Sequence, residues 1–493
     1  MKPSTEERQD LFMEETTQDL TPERPRRKRR KRTRLEIFKE DYLPYIIAAV
    51  AVVIVVFFAV GGIRRAVTIH KAEVAKAKAE SEAAALLEAQ QNEAVRRLIE
   101  EADALAAGYD YDGAIAVLDS FEGDVSGFTE LLTKRGEYVK AKSELVAWSD
   151  PSKIPNLSFQ LLIADPARAF SDETYGKAYN RNYVTTDEFS KILQQLYDNG
   201  YMLVSLRDII SSTVNTDGST SLSAATLYLP PDKKPLVLTQ CAVNYFTYMT
   251  DGDGDGLPDK DGDGFASRLI VDDSGKIVNE MIDAEGNLVT GAFDLVPILE
   301  AFIAEHPDFS YRGARAILAV TGYDGVFGYR TDFDTRENED SDYYNEQVAG
   351  AKTIVKALRA AGYEIACYSY RNFSYGEETA SRIDEDLDDW SLEVTPVLGD
   401  VGILVYPFGS DIAEYRAGAY SGDRYAVLRD AGFRYYIGMD NSTDSWADVT
   451  GDYFRQTRRL VSGAYMAYSP EMFDDLFDAT TVLNSQRGTV PQN

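Results

Sequence analysis

Three textures of hydrophobic and polar positions follow one another along this chain. The first is an unbroken apolar run: Leu43 to Ile63 holds 21 residues without a charge, and Ile46 to Phe58 is entirely alanine, valine, isoleucine and phenylalanine. A helix of that length crosses a hydrocarbon layer of ~30 Å. The second texture is helical. Ala66 to Ala107 is rich in Ala, Glu, Lys, Leu and Gln, lacks Gly and Pro, and stops at Gly108, which predicts a long helix. Its apolar stripe is mostly alanine, the pattern of a stalk or weak coiled coil rather than a core helix. Residues 110–120 and 128–148 continue the helical periodicity and predict, with Val95 to Leu105, a small helical bundle.

The third texture begins near Ile154. Short apolar runs of strand type alternate with amphipathic stretches. Strands are predicted at Leu157–Ile163, Tyr201–Ser205, Leu236–Leu238, Ala316–Thr321, Glu364–Cys367, Ile403–Val405 and Tyr435–Ile437. Helices are predicted at Thr186–Asn199, Leu206–Ser211, Leu295–Glu305, Asn345–Ala361, Glu377–Asp389 and Arg424–Ala431. Such alternation predicts a parallel α/β sheet or barrel.

Charge adds topology to this picture. Residues 1–65 carry 14 Lys+Arg against 10 Asp+Glu, while the whole chain is at −30, a balance that argues against a nucleic-acid surface. The basic run Arg24 to Arg34 sits just before the apolar span, so the positive-inside rule keeps the amino terminus in the cytoplasm and places the main domain outside. The apolar core is too long for a cleaved leader, and no small-residue cleavage site precedes Arg64-Arg65. The expected organisation is a disordered cytoplasmic tail over 1–42, a transmembrane helix over 43–63, a helical stalk or bundle over 64–150, an α/β domain over 151–480 and a tail over 481–493. Two cysteines in 493 residues are no disulfide scaffold; Cys241 and Cys367 end strands expected to face one pocket, and a bond between them stays open.

The segment Lys234 to Val243, a buried strand followed by small residues, marks the expected pocket, because barrel chemistry sits where strands end. With the strand near Leu157, Gly200-Tyr201, Gly362 to Ser369 and Tyr406-Pro407-Phe408-Gly409, this segment resembles the polysaccharide deacetylases (the NodB-homology, or carbohydrate esterase family 4, domain) over about residues 154–480. The resemblance implies a distorted (β/α) barrel. It implies, for active members, hydrolysis of N-acetyl groups on chitin-like or peptidoglycan glycans by a divalent metal on one Asp and two His, with a second Asp as base. Here the aligned positions are Cys241 for the base, Ala242 for the metal-binding Asp, and Tyr368 and Asn372 for the histidines. Neither Ala242 nor Asn372 offers the anionic or imidazole donor such a metal needs. The only histidines are His70 in the stalk and His306 at a predicted helix end. Cys241 has no histidine near it in sequence to activate it, so a small buried apolar role outweighs nucleophilic catalysis.

The altered mouth reads Gln160, Cys241, Ala242, Tyr368, Asn372, Tyr406 and Phe408. Gln160, Tyr368, Tyr406 and Phe408 are the expected substrate contacts, since rings stack on sugars and amides bond hydroxyls; equally, they could simply plug a dead site. The segment Asp251-Gly-Asp253-Gly-Asp255-Gly-Leu-Pro-Asp259 has the acid spacing and glycine of a calcium loop, but Gly262 stands at its twelfth position. The functional expectation is a membrane-anchored, non-catalytic glycan- or partner-binding module of the cell envelope. The alternatives are an active glycan hydrolase with a rebuilt site, and a scaffold acting, or self-associating, through the stalk.

Overall fold

A computed structural model describes residues 33–413, 418–440 and 443–492 of the chain. The chain divides into two units, the first ending at Gln91 and the second beginning at Asn92.

In the first unit, Leu43 opens a single α-helix that runs to Ala107, so it continues into the second unit. The helical stretch Phe38–Ala107 is long and apolar enough to cross a membrane. Residues 64–90 are exposed along their whole length. The expected disordered tail falls largely on residues 1–32, outside the described residues. Its last part is not extended: Arg34–Ile37 and Phe38–Tyr42 are helical and lead into the long helix.

The second unit opens with the predicted bundle. Val95, Ile99 and Ala102 of the long helix pack with Ala114 and Leu118 of the helix Tyr111–Asp119 and with Leu131 and Tyr138 of the helix Thr129–Ser143. That last helix is shorter than its pattern predicts. It stops at Ser143, and Val146–Trp148 pairs as a strand with Leu227–Leu229, because the apolar Val146-Ala147-Trp148 gains ladder hydrogen bonds there.

Eight parallel strands form the core of the α/β domain: β1 (Asn156–Phe159), β2 (Tyr201–Leu203), β3 (Lys234–Gln240), β4 (Ile317–Val320), β5 (Glu364–Cys367), β6 (Ile403–Val405), β7 (Tyr435–Met439) and β8 (Phe454–Leu460). Seven of them close a barrel in the order β1-β3-β4-β5-β6-β7-β8 and back to β1. The eighth, β2, lies along the first half of β3, with Leu203 opposite Leu236, before β4 joins β3 at Thr239. The alternating pattern predicts a parallel sheet or barrel, and the barrel is what forms, with the distortion that the resemblance implies. Strand β8 is absent from the predicted series: Phe-Arg-Gln-Thr-Arg-Arg-Leu is mostly polar, yet Phe454 to Arg459 are buried.

Alternation along each strand separates two cores. Val237 of β3, Cys241 just after it, Ala319 of β4, Ala366 of β5, Val405 of β6 and Ile437 of β7 belong to the barrel interior. Leu236 and Leu238, Leu318 and Val320, Ile365 and Cys367, and Leu404 and Tyr406 belong to the layer between barrel and helices. That layer is completed by amphipathic helices such as Thr186–Asp198, which buries Phe189, Ile192, Leu193 and Leu196 and starts with a capping box between Thr185 and Glu188. A three-stranded antiparallel insertion (Arg268–Val271, Ile277–Ile282, Leu288–Gly291) follows β3.

The carboxyl-terminal segment, expected as a tail from 481, is docked. Arg487 is buried and its guanidinium pairs with the fully buried Glu188 at 2.5 Å, while also donating to the Asn180 and Tyr183 carbonyls. The pairing supplies the charge partner without which neither side chain would be buried.

Candidate functional site

The carboxyl-terminal ends of β1, β3, β5 and β6 deliver the positions singled out in the sequence. The backbone there is bent in a characteristic way: Ala242, Ser369, Asn372 and Phe408 all hold φ between 55 and 61°. Left-handed backbone is costly for side chains with a Cβ, and it turns each chain sharply as it leaves its strand.

Three of these positions meet inside the mouth, in a group of four. Cys241 and Tyr368 are buried, and Gln160 is half-buried. The Tyr368 hydroxyl accepts from the Phe408 backbone N–H at 3.2 Å and interacts with the Gln160 side chain. The fourth member is Arg458 of β8, which sequence reasoning missed. It is 2% exposed, and its guanidinium donates to the Ile437 carbonyl at 3.0 Å and the Tyr406 carbonyl at 2.9 Å. It also interacts with the Cys241 sulfur, as the Tyr368 hydroxyl does. A fixed positive charge therefore stands beside the residues aligned with a base and a metal ligand.

Burial dominates the ionisation of both acids. The Cys241 thiol is pushed up by desolvation, against the lowering influence of Arg458. Tyr368 is likewise raised by burial and by Cys241. A protonated, buried thiol is a poor nucleophile. At the rim, Ala242 is 8% exposed and Asn372 is half-buried, its Oδ1 buried without a hydrogen-bond partner. Phe408 is exposed. Tyr406 does not join them. It faces the outer layer, is fully buried and lies 6.2 Å from Tyr436 in a stacked arrangement, out of reach of a ligand.

The cysteine pair also resolves. Cys241 and Cys367 are both free and buried. Register explains why: Thr239 pairs with Ile317, and Ile317 with Glu364, so Cys241 and Cys367 fall on opposite faces of the barrel wall. The two do not point into one pocket.

Beside this filled mouth lies an open groove of about 1170 Å³, built by the segments after β3, β4 and β5. Tyr248, Tyr323, Phe333 and Tyr370 contribute rings to it, and Asp332 and Asp334 are among its acids. Tyr183 is within electrostatic reach of both Tyr248 and Tyr368, so the groove adjoins the mouth. Nothing in composition marks these residues; their one signal is that they follow directly on barrel strands.

Within the acidic loop at the groove's edge, carboxylate oxygens of Asp251, Asp253 and Asp259 lie within 4.8 Å of one another. Asp251 accepts from Gly254 and Gly256 N–H groups, and Asp259 from those of Gly252, Asp253 and Asp261. Asp255 is outside the trio and accepts instead from Leu257 N–H. Three convergent carboxylates are the hard donor set calcium takes.

No family model matches the sequence, and no curated protein matches it. Among solved structures the chain is similar to the Streptococcus pyogenes deacetylase PplD in complex with acetate, at 11% identity and a TM-score of 0.33, covering 63% of this chain and 93% of that one. It is also similar to a de-N-acetylase from Aggregatibacter actinomycetemcomitans, at 11% identity and a TM-score of 0.32, covering 63% of this chain and 95% of that one. Both likenesses concern fold alone. The closed parallel barrel itself rests on the strand pairings of this chain.

Proposed function

We propose that this chain is a membrane-anchored, extracytoplasmic, deacetylase-like module that binds glycan without hydrolysing it. The observation that carries the reading is Arg458. A hydrolytic metal requires a cluster of donors around an accessible cation. In this barrel the corresponding space holds a buried guanidinium, tied to two backbone carbonyls and lying against Cys241 and Tyr368. A second cation there would meet Arg458's charge with no carboxylate or imidazole from Ala242, Tyr368 or Asn372 to offset it. The open groove beside the mouth supports the binding half of the reading, because it presents rings and hydrogen-bonding groups at the end of the barrel where ligands are taken.

Orientation follows from the basic run before the apolar helix. The exposed alanine-rich continuation of that helix is suited to pairing with a second copy. Calcium on Asp251, Asp253 and Asp259 would neutralise their mutual repulsion and tie down the segment after β3.

The test uses the full chain in detergent, offered N-acetylated glycan oligomers with zinc, cobalt or calcium. Binding by calorimetry with no acetate released is the expected result. Metal-dependent acetate release that disappears in Cys241→Ala overturns the reading in favour of a rebuilt hydrolase.

A further inference from the structure

The groove beside the mouth has a charge pattern that narrows what it would hold. Tyr248, Tyr323 and Phe333 remain 44%, 62% and 48% exposed. Phe246 stacks on Tyr248 at 5.8 Å and lies 6.1 Å from Tyr323, and Tyr175 lies 5.4 Å from Tyr248. Four rings thus run in a row, a platform for the apolar faces of successive sugar rings.

Apart from Asp251 of the acidic loop, the carboxylates around this platform fall into two sets. Asp324 is held by Arg330 at 3.4 Å and by the Thr247 hydroxyl at 2.9 Å. Asp389 is paired with Arg371, and Glu393 with the Tyr370 hydroxyl and, at 3.6 Å, Arg336. Asp332 and Asp334 differ. Among the described residues neither has an ion pair; Asp332 only caps the short helix that follows it, accepting from Thr335. These two flank Phe333, one face of which is covered by Arg336 at 5.0 Å. A ligand lying across the rings therefore meets these two carboxylates without counter-ions, with Asp251 of the acidic loop a third in the groove wall, in a chain whose net charge is −30.

We propose that the groove selects glycans bearing free amines, amino sugars that have lost their acyl group, over N-acylated and neutral glycans. The proposal rests on the glycan-binding reading above and adds a charge requirement to it. An ammonium group on the sugar pairs with Asp332 or Asp334 while its ring lies on Tyr323 or Phe333. An acylated nitrogen carries no charge to pair, and an anionic glycan is repelled.

Calorimetry on the full chain in detergent compares glucosamine oligomers, N-acetylglucosamine oligomers and glucose oligomers of equal length, with oligolysine as a cation that is not a sugar. Glucosamine oligomers should bind roughly tenfold tighter than the acetylated ones, with the advantage shrinking at high salt. Asp332→Asn/Asp334→Asn should erase that advantage, and asparagine preserves the helix cap. Tyr323→Ala/Phe333→Ala should weaken every sugar alike. Equal binding of free and acetylated oligomers overturns the amine selection and leaves the glycan reading standing. Absence of binding by any sugar overturns both. Oligolysine binding as tightly as glucosamine oligomers overturns the proposal, because charge alone would then suffice.

Discussion

At the scale of single residues, burial decides the chemistry. Cys241 and Cys367 are reachable neither by solvent nor by each other. Thiol reagents should therefore label the folded protein slowly and find two free thiols once it is unfolded in denaturant; one or none would mean a disulfide. Two deeply buried carboxyls contribute to the pH response. Asp294 is fully buried and accepts from Leu162 N–H, the Gln240 amide and the Tyr245 hydroxyl at 2.7–2.9 Å, yet burial outweighs these bonds and raises it to about 6. Glu364, buried at the start of β5, is raised by burial to about 7. Unfolded, both ionise near the ordinary carboxylate value of about 4. The folded state thus holds their protons at pH values where the unfolded chain has released them. Their contribution is full below pH ~4 and is lost as pH rises through 6 to 7. Thermal melting should show Asp294→Asn flattening the fall in stability between pH 5 and pH 7.5; an unchanged slope would refute the assignment.

At the scale of elements, the informative piece is β8. A strand carrying Arg455, Arg458 and Arg459 is tolerated in a closed barrel because each guanidinium has an acceptor elsewhere: Asp411 at 2.7 Å for Arg455, the Tyr406 and Ile437 carbonyls for Arg458, and Asp475 at 2.7 Å for Arg459. Those acceptors lie outside β8, beyond the reach of any local pattern, so the local pattern predicts no strand there. Arg458→Met should remove one donor from each of the Tyr406 and Ile437 carbonyls, which keep a backbone partner, and lower stability by about 1–3 kcal/mol, measured by chemical denaturation. The docked carboxyl terminus makes a parallel case. Arg487→Ala leaves Glu188 as a buried charge alone and should cost about 3–5 kcal/mol. A tail free of contacts would make that substitution silent.

At the scale of the whole molecule, two features set behaviour. The apolar helix should require detergent for extraction, and deletion of residues 1–63 should yield a protein soluble without it. Calcium should raise the melting temperature of the wild type, and Asp251→Asn/Asp253→Asn should remove that rise; equal binding heats for the two proteins would exclude the loop as a calcium site. Pull-downs with and without residues 66–150 separate a barrel that binds alone from a scaffold working through its helices.

The sequence by itself determined the apolar span, the helical stretch after it and the alternation of strands and helices, because each is a local periodicity of hydrophobic burial. It also determined that Ala242, Tyr368 and Asn372 stand at the strand ends, since motif spacing survives changes of residue type. Which way a side chain faces was decided only by the closed barrel. One residue of register sends Tyr406 outward and Cys241 inward, and separates the cysteines by the thickness of the wall. The tertiary structure likewise placed Arg458 against Cys241 and gathered Tyr248, Tyr323 and Phe333 around one groove. Those contacts join residues from different strands and loops, and a buried charge or a shared cavity exists only once the distant partners that satisfy it have been brought together.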